Sequence, residues 1–161
     1  MIYITLGTQS TDFTRCMKMV ESLINEYNIK EEVIAQVGYT KYMPNNIKCF
    51  DYVTENEFQR IVSEASVIIS HAGSGALFSA IKKGKKVIAV ARLGKYGEML
   101  NDHQTELVKK LTEEGYILDG TYDLKSAWSK LPSFIPRKND FHCDIERRIR
   151  DILVGWKIEK K

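Results

Sequence analysis

Three short segments carry the residue types that chemistry at phosphate or sugar oxygens would need. The first is Gly7-Thr8-Gln9-Ser10, where a glycine lets the backbone turn tightly beside a ligand, and hydroxyls and free amides near a helix start suit an anionic oxygen. An ordinary strand-to-helix turn capped by Thr8 and Ser10 uses the same residues. The second is His71-Ala72-Gly73-Ser74-Gly75, in which an apolar run passes through a histidine and two glycines into a helical pattern. A pyrophosphate there would meet unpaired amides and the positive end of a helix dipole, whose contribution alone is about 0.3–2 kcal/mol. Phe78 stands where a dinucleotide G-x-G-x-x-G would place its third glycine, and the Lys-Ser/Thr ending of a P-loop is missing. Ala72 occupies the first glycine position of a hydrolase nucleophile elbow. His71 is open to a structural or a functional role. The third segment, Glu98 to Gln104, offers Asn101, His103 and Gln104 as paired donors and acceptors for sugar hydroxyls, while Asn101 with Gln104 also reads as a helix cap. Neither H-E-x-x-H nor Asp-x-Asp spacing occurs, so no dedicated metal site is expected.

The elements that must position these segments alternate between strand and helix. Met1 to Leu6 reads as a buried strand, followed by a helix over Asp12 to Tyr27 with Phe13, Met17, Val20 and Ile24 on one face. Val33 to Val37 and Ile47 to Tyr52 read as strands, and Thr54 with Glu57 as a capping box for a helix carrying Phe58, Ile61, Val62 and Ala65. Then come a strand at Val67 to Ile69, a helix from Ser74 to Lys83 ended by Gly84, and a strand from Lys86 to Ala91. A loop over Gly94 to Leu100 leads to a helix with Leu107, Val108 and Leu111, and Gly115 precedes a strand at Tyr116 to Leu118. Beyond Tyr122 the pattern weakens through Pro132 and Pro136, and a last helix from about Phe141 carries Ile145, Ile149, Ile152, Leu153 and Trp156. Such alternation predicts an α/β, Rossmann-like, mostly parallel sheet with helices on both faces and ligands at the carboxyl ends of the strands.

The chain of 161 residues fits one domain, 1–161, with no internal repeat or linker. It is 43% apolar and 28% charged, a globular balance, and its net charge of +3 is too small to argue for nucleic acid. Lysines gather at Lys82, Lys83, Lys85 and Lys86 and at Lys157, Lys160 and Lys161, which fits a solvated surface or a patch facing an anion or membrane. Cys16, Cys49 and Cys143 are odd in number and widely spaced, against a disulfide framework or zinc site. With no leader or membrane-spanning run, the expected location is cytoplasmic, with membrane contact only peripheral or through a partner.

"GT" after the first strand, "HAGSGAL" followed by "GKKVIAVAR", and "NDHQTELVKKL", in this order, resemble the glycosyltransferase family 28 C-terminal domain, the nucleotide-sugar-binding half of GT-B enzymes. The length resembles that family's stand-alone subunits, which include bacterial exopolysaccharide and capsule transferase subunits and that of the dolichol-linked second-GlcNAc transferase. The resemblance implies a UDP-sugar donor whose diphosphate lies against Gly7, Thr8, Gly73, Ser74 and Gly75. It places His71, Ser79, Asn101, His103 and Gln104 about the donor's sugar and nucleoside. It further implies transfer with inversion, no cofactor and no obligatory metal, with UDP-galactose as first donor and UDP-GlcNAc next. One position departs from the family: relatives commonly carry a ribose-binding glutamate five residues before the glycine that ends this helix, and here that residue is Ser79. A hydroxyl cannot reproduce the bidentate acceptor pattern of a carboxylate.

A GT-B site lies between two halves, so the acceptor half and its general base must come from another chain. The implied partner is a membrane-anchored subunit binding a polyprenyl-diphosphate-linked saccharide, which would recruit this chain to the inner face of the membrane. The helix and tail of 141–161 are the candidate docking element, because helix-in-groove recognition uses its apolar spacing; packing on the chain's own sheet uses the same stripe. The rival function is a non-catalytic nucleotide-binding or regulatory subunit that supports a separate transferase.

Overall fold

The computed structural model describes residues 1–100 and 103–138. Six strands, β1 (Ile2–Thr5), β2 (Val33–Gln36), β3 (Lys48–Phe50), β4 (Val67–Ser70), β5 (Lys86–Ala89) and β6 (Leu118–Asp119), form one sheet in the order β3-β2-β1-β4-β5-β6. Every neighbouring pair is parallel, with Ile2 opposite both Val33 and Val67, and Thr5 opposite both Gln36 and Ser70. Strands buried on both faces explain the unbroken apolar runs of the sequence.

The helices are α1 (Thr14–Glu26), α2 (Glu55–Glu64), α3 (Ser74–Lys82), α4 (His103–Glu113) and α5 (Leu124–Lys130), with a 3-10 turn at Gly94–Tyr96. Because successive strand residues point to opposite faces, the core divides in two. Tyr3, Ile68 and Val87 pack with Ile61 and Val62 of α2, Leu77 and Ile81 of α3, and Leu107 and Leu111 of α4. Ile2, Ile4, Ile69 and Ile88 pack with Met17, Val20 and Leu23 of α1, with Leu124 of α5 and with Leu131 just past it. The expected α/β layers with helices on both faces are therefore present.

Two elements differ from the sequence reading. The last strand begins at Leu118, not Tyr116, because the Tyr116 amide closes the end of α4 by donating to the Leu111 carbonyl at 2.9 Å and cannot join the ladder. Helix α5 was not expected so close to Pro132 and Pro136. Asp123 starts it by accepting from the Ser126 amide at 2.9 Å, and Leu124, Ala127 and Leu131 bury its inner face. At the end of α3, Gly84 has φ +64, as a left-handed C-terminal cap requires.

The central lysines are not simply solvated. Lys83 donates to the Gln59 carbonyl at 2.6 Å, Lys85 to the Ala65 carbonyl at 2.9 Å and Lys86 to the Leu131 carbonyl at 2.6 Å. Lys85 and Lys86 thereby satisfy carbonyls at the ends of α2 and α5, where a cation also suits the helix dipole, while Lys83 reaches further back along α2. The docking element expected over 141–161 lies outside the described residues.

Candidate functional site

The strand order reverses between β1 and β4, since β1 leads outward to β2 and β3 while β4 leads to β5 and β6. In an open parallel sheet this reversal leaves a crevice at the carboxyl edge, where the connecting loops diverge to opposite faces. The loops leaving β1 and β4 are the two glycine segments singled out above.

His71 joins them. Its backbone amide and its Nδ1 both lie 2.9 Å from the Thr5 carbonyl. A carbonyl only accepts, so Nδ1 carries the hydrogen and the neutral ring keeps Nε2 as a bare lone pair. Burial, opposed by the Thr5 bond and assisted by the charge of Arg92, lowers its pKa from 6.5 to about 4. The turn that folds the ring inward places Ala72 at φ +64, a left-handed conformation that costs a non-glycine residue about 1–2 kcal/mol.

The glycines around this ring have different reasons to be glycine. A Cβ at Gly7 would come 2.4 Å from His71 Nε2, and one at Gly73 2.2 Å, so both make room for the imidazole. Gly73 has an ordinary backbone, φ −67 and ψ 130, so space alone excludes a side chain there. Among the described residues, a Cβ at Gly75 would meet nothing within 4 Å. The protein itself does not need glycine at that position, which leaves the space beyond it for something else.

That space is a cleft of about 480 Å³. Gly7, Thr8, His71, Gly73, Ser74 and Gly75 line one side, and Val53 ahead of α2 with Glu55, Phe58 and Gln59 of α2 the other. The first intrahelical bond of α3 runs from the Leu77 amide to the Gly73 carbonyl at 3.0 Å. The amides of Ser74, Gly75 and Ala76 precede it, and Gly73 has no side chain to cap them. Uncapped amides, a dipole and a floor of hydroxyl and imidazole groups can hold an anion and can stabilise negative charge developing on it.

All five residues expected to meet a diphosphate thus surround one cleft, together with His71. Ser79 lines an adjoining cavity of about 280 Å³ that shares Gln59 and Gly75 with the first. Gln104 stands elsewhere, its Oε1 accepting from the Arg92 amide at 3.0 Å, and His103 opens α4; neither lines the cleft. Asn101 lies outside the described residues. A larger cavity of about 760 Å³ lies among Arg15, Lys18, Met19, Tyr122 and Lys125 on the α1–α5 flank. At the helix starts beside it, the Thr14 amide is met by Asp12 Oδ2 at 3.2 Å and the Ser126 amide by Asp123 Oδ1 at 2.9 Å.

Sequence reading missed the charged network beneath the first loop. Arg15 pairs with buried Glu98 through Nε to Oε1 at 2.9 Å and Nη2 to Oε2 at 3.0 Å, and also reaches the Ala91 and Thr121 carbonyls at 2.7 Å each. Arg92, 1% exposed, holds the Leu6 carbonyl at 2.9 Å and the Thr11 carbonyl at 3.0 Å. An arginine directly after the apolar run "KVIAVA" was the one available signal, because a charge carried inward by a buried strand must find partners.

Comparison with known proteins gives this geometry a family. The sequence profile of the glycosyltransferase family 28 C-terminal domain matches residues 1–137. The chain is 28% identical over 127 residues to the UDP-N-acetylglucosamine transferase subunit ALG13 of Mus musculus, covering 71% of this chain and 10% of that protein. It is 29% identical over 109 residues to the subunit of the same name in Cryptococcus neoformans, covering 63% of this chain and 52% of that one. The chain thus spans a tenth of the mouse relative and about half of the fungal one. Among solved structures, an NMR structure of ALG13 superposes with a TM-score of 0.60 at 15% identity, covering 87% of this chain and 89% of that one. The Streptomyces glycosyltransferase SsfS6, solved with thymidine diphosphate, gives 0.55 at 16% identity, covering 83% and 33%. These two likenesses establish a GT-B type of fold.

Proposed function

The chain belongs to the glycosyltransferase family 28 C-terminal domain family, and from that premise we propose that it is the donor-binding subunit of a two-component, inverting glycosyltransferase. The observation that carries this reading is the opening at Gly75, where the amides of α3 meet unfilled space at the reversal of strand order. The donor's diphosphate lies against Ser74, Gly75 and Ala76, with Thr8 and His71 beside it. As the bond between the sugar's anomeric carbon and the diphosphate breaks, charge grows on the leaving oxygen, and the fixed amides stabilise it without reorganising. They take the role of a divalent ion. The attacking hydroxyl comes from a lipid-linked saccharide held by a membrane-anchored partner, whose general base removes its proton.

UDP-N-acetylglucosamine is the first donor to assay, because that sugar appears in the names of the relatives. UDP-galactose is the second, and a role in capsule or exopolysaccharide assembly is tested through the acceptor. The decisive experiment titrates UDP into the chain, then measures sugar transfer to a polyprenyl-diphosphate-linked acceptor with the co-expressed partner. Micromolar UDP binding and transfer from one of the donors, insensitive to chelator, are expected. Absence of UDP binding together with absence of transfer from every donor overturns the reading.

A further inference from the structure

Resting on that donor-site reading, we propose that Glu55, Gln59 and Ser79 together form a subsite for a vicinal diol, the 2′- and 3′-hydroxyls of a ribonucleotide. Ser79 Oγ donates to Gln59 Oε1 at 2.9 Å, and Gln59 Nε2 donates to Glu55 Oε1 at 2.8 Å. The polarity of this chain is fixed by chemistry. A carboxylate only accepts, so the amide nitrogen of Gln59 faces Glu55 and its oxygen faces Ser79. Among the described residues, what remains unused follows in order: an acceptor on Ser79 Oγ, the second N–H of Gln59, and the second carboxylate oxygen of Glu55. An acceptor, a donor and an acceptor match two adjacent hydroxyls, each of which both donates and accepts.

Position and rigidity favour the same assignment. Gln59 and Gly75 line both the main cleft and the adjoining cavity that contains Ser79, so the triad sits where a group leaving the α3 amides passes from one to the other. Val53 and Phe58 give the same side of the cleft apolar surface beyond the polar triad. Gln59 is held twice, through its side chain by Ser79 of α3 and through its carbonyl by Lys83, just past that helix, at 2.6 Å. A diol therefore meets groups already oriented, and little side-chain entropy is lost on binding. The carboxylate for the ribose is supplied by α2 in this chain, and Ser79 is the inner end of a relay.

The test is calorimetric titration of the full chain with UDP, 2′-deoxy-UDP and inorganic pyrophosphate. UDP is expected to bind about tenfold more tightly than 2′-deoxy-UDP, the size of a hydrogen bond to a charged group. Gln59→Ala and Glu55→Gln should each bring that ratio close to one and leave pyrophosphate affinity unchanged. Glu55 is exposed, so its variant guards against a folding defect at the half-buried Gln59. If UDP binds but the wild-type chain shows no preference, or both variants keep the preference, the diol subsite is wrong and the donor site stands. If neither UDP nor pyrophosphate binds, the donor site falls and the subsite with it.

Discussion

Two polar clusters stand side by side at the carboxyl edge of the sheet, and they treat their hydrogen bonds in opposite ways. Around Arg15, Glu98 and Arg92, charges are turned inward onto one another and onto backbone carbonyls: both oxygens of Glu98 are taken by Arg15, and Oε2 also accepts the Leu93 amide at 2.9 Å. Around His71 and the start of α3, the groups are held in place but left unpaired toward the cleft. The first cluster ties the loop after β1 to the loop after β5, and the second faces the cleft. Density of charge is therefore a poor guide to function here. The informative quantity is how much hydrogen-bonding capacity the fold leaves unused.

That contrast can be broken most forcefully at the network. Glu98→Ala leaves the half-buried Arg15 guanidinium without its carboxylate and the Leu93 amide without its acceptor, and is expected to cost about 3 kcal/mol of stability, read by urea denaturation. A loss under about 1 kcal/mol would mean the network is not the brace described. The next effect comes from His71. Its folded pKa, about 4, lies below the unfolded 6.5, so the unfolded chain binds the proton first. Stability is full above about pH 6.5 and falls as the pH drops toward 4, by up to ~3 kcal/mol at about 1.4 kcal/mol per pKa unit. His71→Gln should flatten that stretch of the stability profile, and an unchanged slope would show that other groups carry it.

Smaller shifts separate the glycines. Gly73→Ala drives a methyl into the imidazole and should cost about 1–3 kcal/mol by overpacking, with loss of UDP affinity. Gly75→Asp should move stability and binding in opposite directions. A carboxylate in the first turn of α3 is worth about 0.3–1 kcal/mol to the helix, while UDP binding falls at least tenfold, to about the extent of one like-charge contact. Undiminished UDP affinity in that variant would remove the diphosphate from α3.

The sequence made one of these clusters legible and hid the other, for a physical reason. His71, Gly73 and Gly75 fall within five positions, and the apolar run before them marks the end of a strand, so their meeting with Gly7 follows from an alternating α/β pattern. Arg15 and Glu98 are separated by 83 positions, and their pairing depends on where two loops converge after the sheet has formed. Glu55 and Gln59 read only as ordinary i, i+4 neighbours on an exposed helix start, because nothing local reveals that Ser79 lies beside them. Gln104 shows the reverse case: a side chain suited to a sugar hydroxyl serves a backbone amide instead. The strand order follows from parallel alternation only in outline, and the position of β6 depends on how far the last turn of α4 persists.

The lysine braces at the far end of α3 have a mechanical consequence. Past the end of α3, Lys85 holds the Ala65 carbonyl that closes α2 and Lys83 spans from Ser63 Oγ back to the Gln59 carbonyl, so α2 and α3 are fastened from the remote end up to the cleft wall. The two walls of the cleft form a stiff jaw with a fixed gape, so a ligand that enters meets a width set before it arrives.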